Sequence, residues 1–225
     1  MSGFLDIVYA SLLYVLSIIS YLPEPTIQDL GDSTVNLFMV NQGQGSGVVV
    51  STKSTTISCE LTIVTAKHVI EVGKELILDH TPELVPDRLQ AHQSQDIGYL
   101  VYTLPHPCAT YRYKAVKLSK EIPSPLDVLI HIGYPDNHWM IGYTTYIGPY
   151  TSSDMYGNVL PLDTWAITSV AGPGSSGGPV FYKNQLLGIL IMGETTQPFR
   201  NYMTPIYYLN DLLPELFINA KNKSL

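Results

Sequence analysis

The chain has 225 residues, of which 45% are hydrophobic and only 14% are charged, and its formal net charge is -7. A chain of this length and composition can bury one sizeable core or two small ones, which excludes an intrinsically disordered protein. The twelve Lys and Arg residues are scattered without a basic run, so a phosphate backbone would find little to bind. We therefore expect no nucleic-acid partner.

An uncharged hydrophobic segment, IVYASLLYVLSIISYL, lies near the N-terminus at residues 7–22, and the Pro-Glu-Pro sequence after it ends any helix. The segment is a little shorter than the roughly 20 residues that span a bilayer. No basic residue precedes Lys53, so neither a membrane orientation nor a signal-peptide n-region is marked. For residues 1–25 the sequence leaves open a membrane anchor, a signal peptide, and a helix packed on the protein or a partner. We expect membrane association through residues 7–22, or export if the segment is a signal peptide.

Beyond this segment the chain consists of short runs rich in Val, Ile, Thr and Tyr, separated by Gly, Pro, Asn and Ser. Such runs are typical of β-strands. About a dozen of them, without alternating helices, indicate barrels or sandwiches of antiparallel strands. One further helix is predicted from about Leu209 to Ala220. The predicted strands are 34–40, 45–52, 59–66, 75–80, 96–104, 127–134, 144–150, 164–169, 178–183, 185–192 and 203–209.

The two cysteines, Cys59 and Cys108, lie far apart in the sequence and outside any CxxC pattern. They could form a disulfide, and two buried thiols are equally compatible with the sequence. Cysteine usage therefore leaves the redox compartment open.

A glycine-rich turn, GPGSSGGPVF, places two adjacent serines directly before an apolar strand. Its glycines free the backbone near Ser176 for conformations closed to residues with a Cβ, and they clear space above the hydroxyl. The turn can also aim successive backbone N–H groups at one point, as an oxyanion site requires. A serine hydroxyl alone is a poor nucleophile, so it needs a base, and the base needs an orienting acid.

Candidates for the base and the acid lie upstream of this turn. His68 follows a β run in LTIVTAKHVI, and Asp96 opens another strand in SQDIGYLVY. The other histidines, His92 among them, lie in loops or along strands and are not framed by such a motif. Each residue alone is more typical of a structural role. The order His, Asp, Ser on a chain of short strands is what favours a catalytic triad.

These three segments resemble the motifs of the chymotrypsin-like serine peptidases. TAKHV is similar to the family's T-A-x-H motif, DIGYL to its D-I-A-L motif, and GSSGGPV to its G-D-S-G-G-P motif. The short spacing between the motifs is more similar to HtrA/Deg-type and viral members than to digestive enzymes. The resemblance implies an all-β fold of two six-stranded antiparallel β-barrels, at residues 26–118 and 119–225, with a short C-terminal helix.

The resemblance also implies the roles of the motif residues. Ser176 would attack a peptide carbonyl, His68 would pass the proton to the leaving amine, and Asp96 would orient the imidazole. The N–H groups of Gly174 and Ser176 would bind the oxyanion. This chemistry requires no metal and no cofactor. The expected partner is a protein or peptide substrate, and the sequence indicates no oligomeric state.

By the same resemblance, a primary specificity pocket would have Val170 at its base and Ile191, Met192 and Gly193 along its wall. Because Val170 puts no charge at the bottom of this pocket, the pocket offers no partner for a Lys or Arg side chain of the substrate. We therefore expect an apolar or small residue before the scissile bond. Ser175 stands where the family usually has Asp. This departure implies that the chain needs no zymogen cleavage of the kind that frees an N-terminus to pair with that Asp.

The leading hypothesis from the sequence is a serine endopeptidase, tethered to a membrane and acting in protein processing or quality control. The alternative is a catalytically silent peptidase fold that serves as a binding or membrane assembly module. The complete set of triad residues favours the enzyme, because a scaffold has no use for them in this order.

Overall fold

The computed structural model describes residues 24–39, 43–72, 76–79, 84–150, 164–169, 171–193 and 200–218. Twelve strands form two sheets in this part of the chain. The strands of the first sheet are β1 (Thr34–Met39), β2 (Gly43–Ser54), β3 (Ser58–Thr65), β4 (Leu76–Leu78), β5 (Arg88–Ala91) and β6 (Gly98–Pro105). Those of the second are β7 (Val128–Gly133), β8 (Met140–Tyr150), β9 (Thr164–Thr168), β10 (Pro179–Tyr182), β11 (Gln185–Gly193) and β12 (Arg200–Pro205).

Both sheets are antiparallel. The second closes into a barrel in the order β10-β11-β12-β9-β8-β7, whereas the first is a curled sheet in the order β4-β1-β2-β3-β6-β5. The outer strands of the first sheet, β4 and β5, have only three and four residues, and no ladder joins them within the described residues. The predicted all-β fold of two six-stranded units is confirmed, with the first unit a half-barrel. The predicted boundary between residues 118 and 119 stays a prediction.

The described helices are short. They are α1 (Glu24–Ser33), α2 (Lys67–Val72) and α3 (Glu215–Ile218), with a 3-10 helix at Ile206–Asp211. Helix α1 was not predicted, because the Pro-Glu-Pro sequence was interpreted only as a stop; proline is also tolerated in the first turn of a helix. The predicted C-terminal helix is split into the 3-10 helix and α3, since Pro214 interrupts the hydrogen-bond ladder.

The hydrophobic segment at 7–22, and the helix predicted for it, lie outside the described residues. Across the described ranges, no helix is long and apolar enough to cross a membrane. Strand β5 was missed in the sequence because three of its four residues are exposed and it lacks an apolar alternation. The predicted strand at 203–209 ends at Pro205, where the 3-10 helix begins.

The inner face of the second barrel changes character along its axis. One end is filled by apolar side chains, namely Leu129, Tyr146, Trp165, Ile167, Val180, Leu187, Leu190 and Met203. Two residues away from Leu129, Ile167 and Met203, where the side chains return to the same face, lie the buried polar residues His131, Ser169 and Asn201. The glycine-rich turn lies beyond this polar layer, next to Gly133 at the end of β7.

The two cysteines form a disulfide between Cys59 and Cys108. It joins β3 to the 3-10 turn that follows β6. The pairing that the sequence left open is therefore present in the structure.

Candidate active site

The first sheet brings His68 and Asp96 together. Strands β3 and β6 pair in register, with Thr65 opposite Gly98, so the residue that follows β3 and the residue that precedes β6 lie at the same edge. His68 Nδ1 lies 2.7 Å from Asp96 Oδ2, and the His68 backbone N–H donates to Asp96 Oδ1 at 3.0 Å. A carboxylate only accepts, so Nδ1 carries the proton and Nε2 is left as an acceptor. Within the described residues, no group of three or more His, Cys, Asp or Glu could hold a metal ion.

The turn that carries Ser176 packs against the first sheet close to His68. Ser46 N–H donates to the Ser176 carbonyl at 2.7 Å. At Gly177 the backbone has φ +82°, and a Cβ would collide with the Thr65 side chain at the end of β3. The Ser176 hydroxyl donates to the Ile191 carbonyl at 3.4 Å, and no described hydrogen bond joins it to His68. Catalytic hydrogen bonds of this kind are often long or poorly aligned in unliganded enzymes.

Two backbone N–H groups of the turn that carries Ser176 are left available by the way their peptide groups are held. The carbonyl of Pro173 accepts from Asp136 N–H at 3.0 Å, and the carbonyl of the residue before Ser176 accepts from Gly178 N–H at 2.9 Å. In a trans peptide the N–H points opposite to the carbonyl. The N–H groups of Gly174 and Ser176 therefore point away from these anchors, and neither donates to another described residue.

Gly174 lies where no other residue fits. Its φ is +94°, and a Cβ would lie 2.6 Å from the Tyr134 carbonyl and collide with the Gln44 side chain. The glycine predicted to form part of an oxyanion site is therefore also required by the local backbone conformation.

Ser46 holds this turn in place, and sequence reasoning missed it. Its hydroxyl donates to the Gly174 carbonyl at 2.7 Å and accepts from Tyr134 N–H at 2.9 Å. The Ser46 carbonyl accepts from the Thr65 hydroxyl at 2.7 Å. The sequence GSGVVVST at residues 45–52 was interpreted only as a strand. A small polar residue between glycines inside an apolar strand is a sign that another backbone approaches closely.

The residues expected to form the specificity pocket are only partly described. Val170 lies outside the described residues. Ile191 is buried and accepts the Ser176 hydroxyl, Met192 pairs with Tyr202 of β12, and Gly193 is opposite Asn201. Strand β11 therefore passes directly beside the candidate nucleophile. The assignment of these residues to a pocket stays a prediction.

The polar layer inside the second barrel is formed by His131 on β7, Ser169 directly after β9 and Asn201 on β12. Ser169 Oγ lies 3.1 Å from His131 Nδ1, and the Asn201 amide donates to the Ser169 carbonyl at 2.5 Å. Burial lowers the pKa of His131 to about 4, so the ring is neutral at physiological pH. His131 Nε2 has no hydrogen-bond partner within the described part of the chain.

Comparison with known proteins gives matches among solved structures alone: no family model and no curated protein matches. The active form of the Rv3671c protease from M. tuberculosis superposes with a TM-score of 0.67 at 15% identity, covering 85% of this chain and 84% of that chain. The inactive form of the Rv3671c protease gives 0.65 at 16%, covering 85% and 92%. A serine endoprotease from Yersinia pestis gives 0.62 at 17%, covering 88% and 69%. At such identities the likeness concerns the fold, and this chain has the fold of the chymotrypsin-like serine proteases.

Proposed function

We propose that this chain is a serine endopeptidase, with Ser176 as nucleophile, His68 as general base and acid, and Asp96 as the group that orients the imidazole. The observation that carries the proposal is the pair of N–H groups at Gly174 and Ser176. Neither donates to another described residue, and the carbonyls of their peptide groups are anchored elsewhere. That is the arrangement that stabilises an oxyanion.

In the proposed reaction, Ser176 Oγ leaves the carbonyl of Ile191, gives its proton to His68 Nε2 and attacks the carbonyl carbon of the substrate. The Asp96 carboxylate stabilises the imidazolium that forms. The developing oxyanion accepts from the two free N–H groups, each contributing about 3 kcal/mol. The imidazolium protonates the leaving amine, and water then hydrolyses the acyl-enzyme with His68 again as the base.

For the natural substrate we retain the expectation from the sequence, an apolar or small residue before the scissile bond. We further propose that residues 7–22 tether the protein to a membrane and that it acts in protein processing or quality control. The disulfide supports an oxidising compartment as its place of action. Extraction of membranes with alkaline carbonate tests the tether: the full chain should stay in the pellet, and a variant lacking 7–22 should be released.

Labelling of the full chain with a fluorophosphonate probe tests the chemistry. Wild type should be labelled, and Ser176→Ala and His68→Ala should each abolish labelling. The matched control is Ser175→Ala, which removes the adjacent hydroxyl and should keep most of the labelling. A folded wild type that takes no label would favour the catalytically silent alternative. Loss of labelling in Ser175→Ala, with retention in Ser176→Ala, would show that the wrong serine was assigned.

A further inference from the structure

The loop that carries Asp96 is wrapped around a histidine for which the mechanism has no use. His92 Nδ1 accepts from the backbone N–H groups of Ser94 and Gln95 at 3.2 and 3.0 Å. The backbone N–H of His92 donates to the Ile97 carbonyl at 2.8 Å, which closes the loop at its base. Asp96 therefore lies at the end of a turn that surrounds the His92 imidazole.

These contacts determine which ring nitrogen of His92 carries the proton. Both partners of Nδ1 are N–H donors, so Nδ1 is the unprotonated acceptor, and the proton of the neutral ring lies on Nε2. Nε2 in turn lies 3.2 Å from Asp211 Oδ2 and donates to it. The ring is buried, whereas the Asp211 side chain is 64% exposed. The ordering effect therefore comes mainly from the Nδ1 side, since hydrogen bonds to exposed carboxylates contribute little.

The second barrel contacts the same loop at two points. The Thr204 hydroxyl of β12 donates to the Asp96 carbonyl at 3.1 Å. The 3-10 helix that follows β12 provides Asp211 and also Tyr208, whose ring meets the edge of the His92 ring with centroids 5.7 Å apart. The loop is thus fixed from inside by His92 and from outside by the segment 204–211. Both oxygens of the Asp96 carboxylate then accept hydrogen bonds from His68, one from its backbone N–H and one from Nδ1.

We propose that His92 is a positioning residue for Asp96: by accepting two backbone N–H groups at Nδ1, it holds the carboxylate in the orientation that binds His68. The inference rests on the proposed function, because it assigns His92 to the same triad. His92 acts only through Asp96, so its loss should slow the chemical step and leave binding at the Ser176 cleft unchanged.

The test compares variants of the full chain that differ in where they place an acceptor. His92→Asn returns a carbonyl oxygen close to the position of Nδ1, His92→Gln places it near Nε2, and His92→Ala removes it. Exposed His138→Ala is the control. Three quantities are measured: the maximal rate of fluorophosphonate inactivation, the inhibitor's binding constant, and the far-downfield proton resonance of His68 Nδ1.

His92→Ala should lower the maximal rate about 10- to 100-fold, with the binding constant unchanged within about twofold, since the effect lies in the transition state. The downfield resonance should shift or disappear. His92→Asn should recover most of the rate and His92→Gln should not. Asp211→Ala should cost less than about fivefold, because that carboxylate is exposed.

The inference is overturned if folded His92→Ala retains the wild-type rate and resonance, or if the loss falls on the binding constant. Should His92→Ala not fold, the Asn and Gln variants decide, and equal rates in the two would overturn the inference. The His68 resonance distinguishes a failure of this inference from a failure of the proposed function. If wild type is inert towards the probe, the proposed function fails, while a resonance altered by His92→Gln and kept by His92→Asn still supports the positioning role.

Discussion

The hydroxyl of Ser46 in the first sheet forms hydrogen bonds with two backbone groups of the second barrel. Replacing it by Ser46→Ala leaves the buried Gly174 carbonyl and Tyr134 N–H without partners. We expect the free energy of unfolding to fall by about 1–3 kcal/mol, with a slower rate of fluorophosphonate labelling because the oxyanion turn loses its anchor. Urea denaturation and labelling kinetics measure the two effects. Ser51→Ala on the same strand is the control, and equal behaviour of the two variants would contradict the role of Ser46.

The backbone at Gly174 gives a second prediction for a single residue. Gly174→Ala adds a Cβ at φ +94° that would collide with Gln44 and the Tyr134 carbonyl, so the peptide group must move and its N–H leaves the oxyanion position. Loss of one such donor costs about 10²- to 10³-fold in rate, and we expect labelling to fall by that factor. Among the described residues, a Cβ at Gly172 meets only Pro135, at an ordinary 3.4 Å. Gly172→Ala should therefore keep most of the activity, and equal losses in both variants would count against the donor role.

At the scale of elements, strand β7 contains a pH-sensitive group. Burial lowers the pKa of His131 from 6.5 to about 4, so between these values the unfolded state binds more protons than the folded state. The contribution of His131 to the unfolding free energy is fully present above about pH 6.5. It is lost as the pH falls from 6.5 through 4, by about 3 kcal/mol in total. Urea denaturation across this range should show the loss in wild type and a shallower dependence in His131→Gln. Exposed His138→Ala should behave as wild type, and an unchanged slope in His131→Gln would refute the assignment.

Elements with an apolar pattern could be predicted from the sequence, and contacts between distant segments could not. The runs that became β1, β3 and β6 alternate or are continuously apolar, and burial fixes them locally. His68, Asp96 and Ser176 were found because each lies in a recognisable local motif. His92 and Ser46 were not, since their partners lie in loops or on the other sheet. The glycines on either side of Ser46 indicate that another backbone approaches closely, but no local pattern identifies which backbone groups its hydroxyl binds.

At the scale of the whole molecule, the disulfide between Cys59 and Cys108 closes a loop with a sequence separation of 49 residues. The chain-entropy model assigns such a loop about 4 kcal/mol of stabilisation. We expect the double variant Cys59→Ser and Cys108→Ser to lose about 2–4 kcal/mol of unfolding free energy, with the candidate site still intact because the bond lies away from it. Urea denaturation measures the loss, and a midpoint identical to that of the oxidised wild type would contradict it.

The two sheets contribute different parts of one candidate site. The first provides His68 and Asp96, and the second provides Ser176 and the N–H groups of Gly174 and Ser176. Ser46 and Thr204 join these parts across the boundary. The proposed catalysis therefore depends on how the two sheets are held together as well as on the triad itself.

The most direct test is cleavage of a complex peptide library by the full chain, with new termini identified by mass spectrometry. We predict new termini with wild type, none with Ser176→Ala, and a profile before the scissile bond that lacks Lys and Arg. A folded wild type that produces no new termini, or a Ser176→Ala variant that produces the same ones, would contradict the assignment of this chain as a serine endopeptidase.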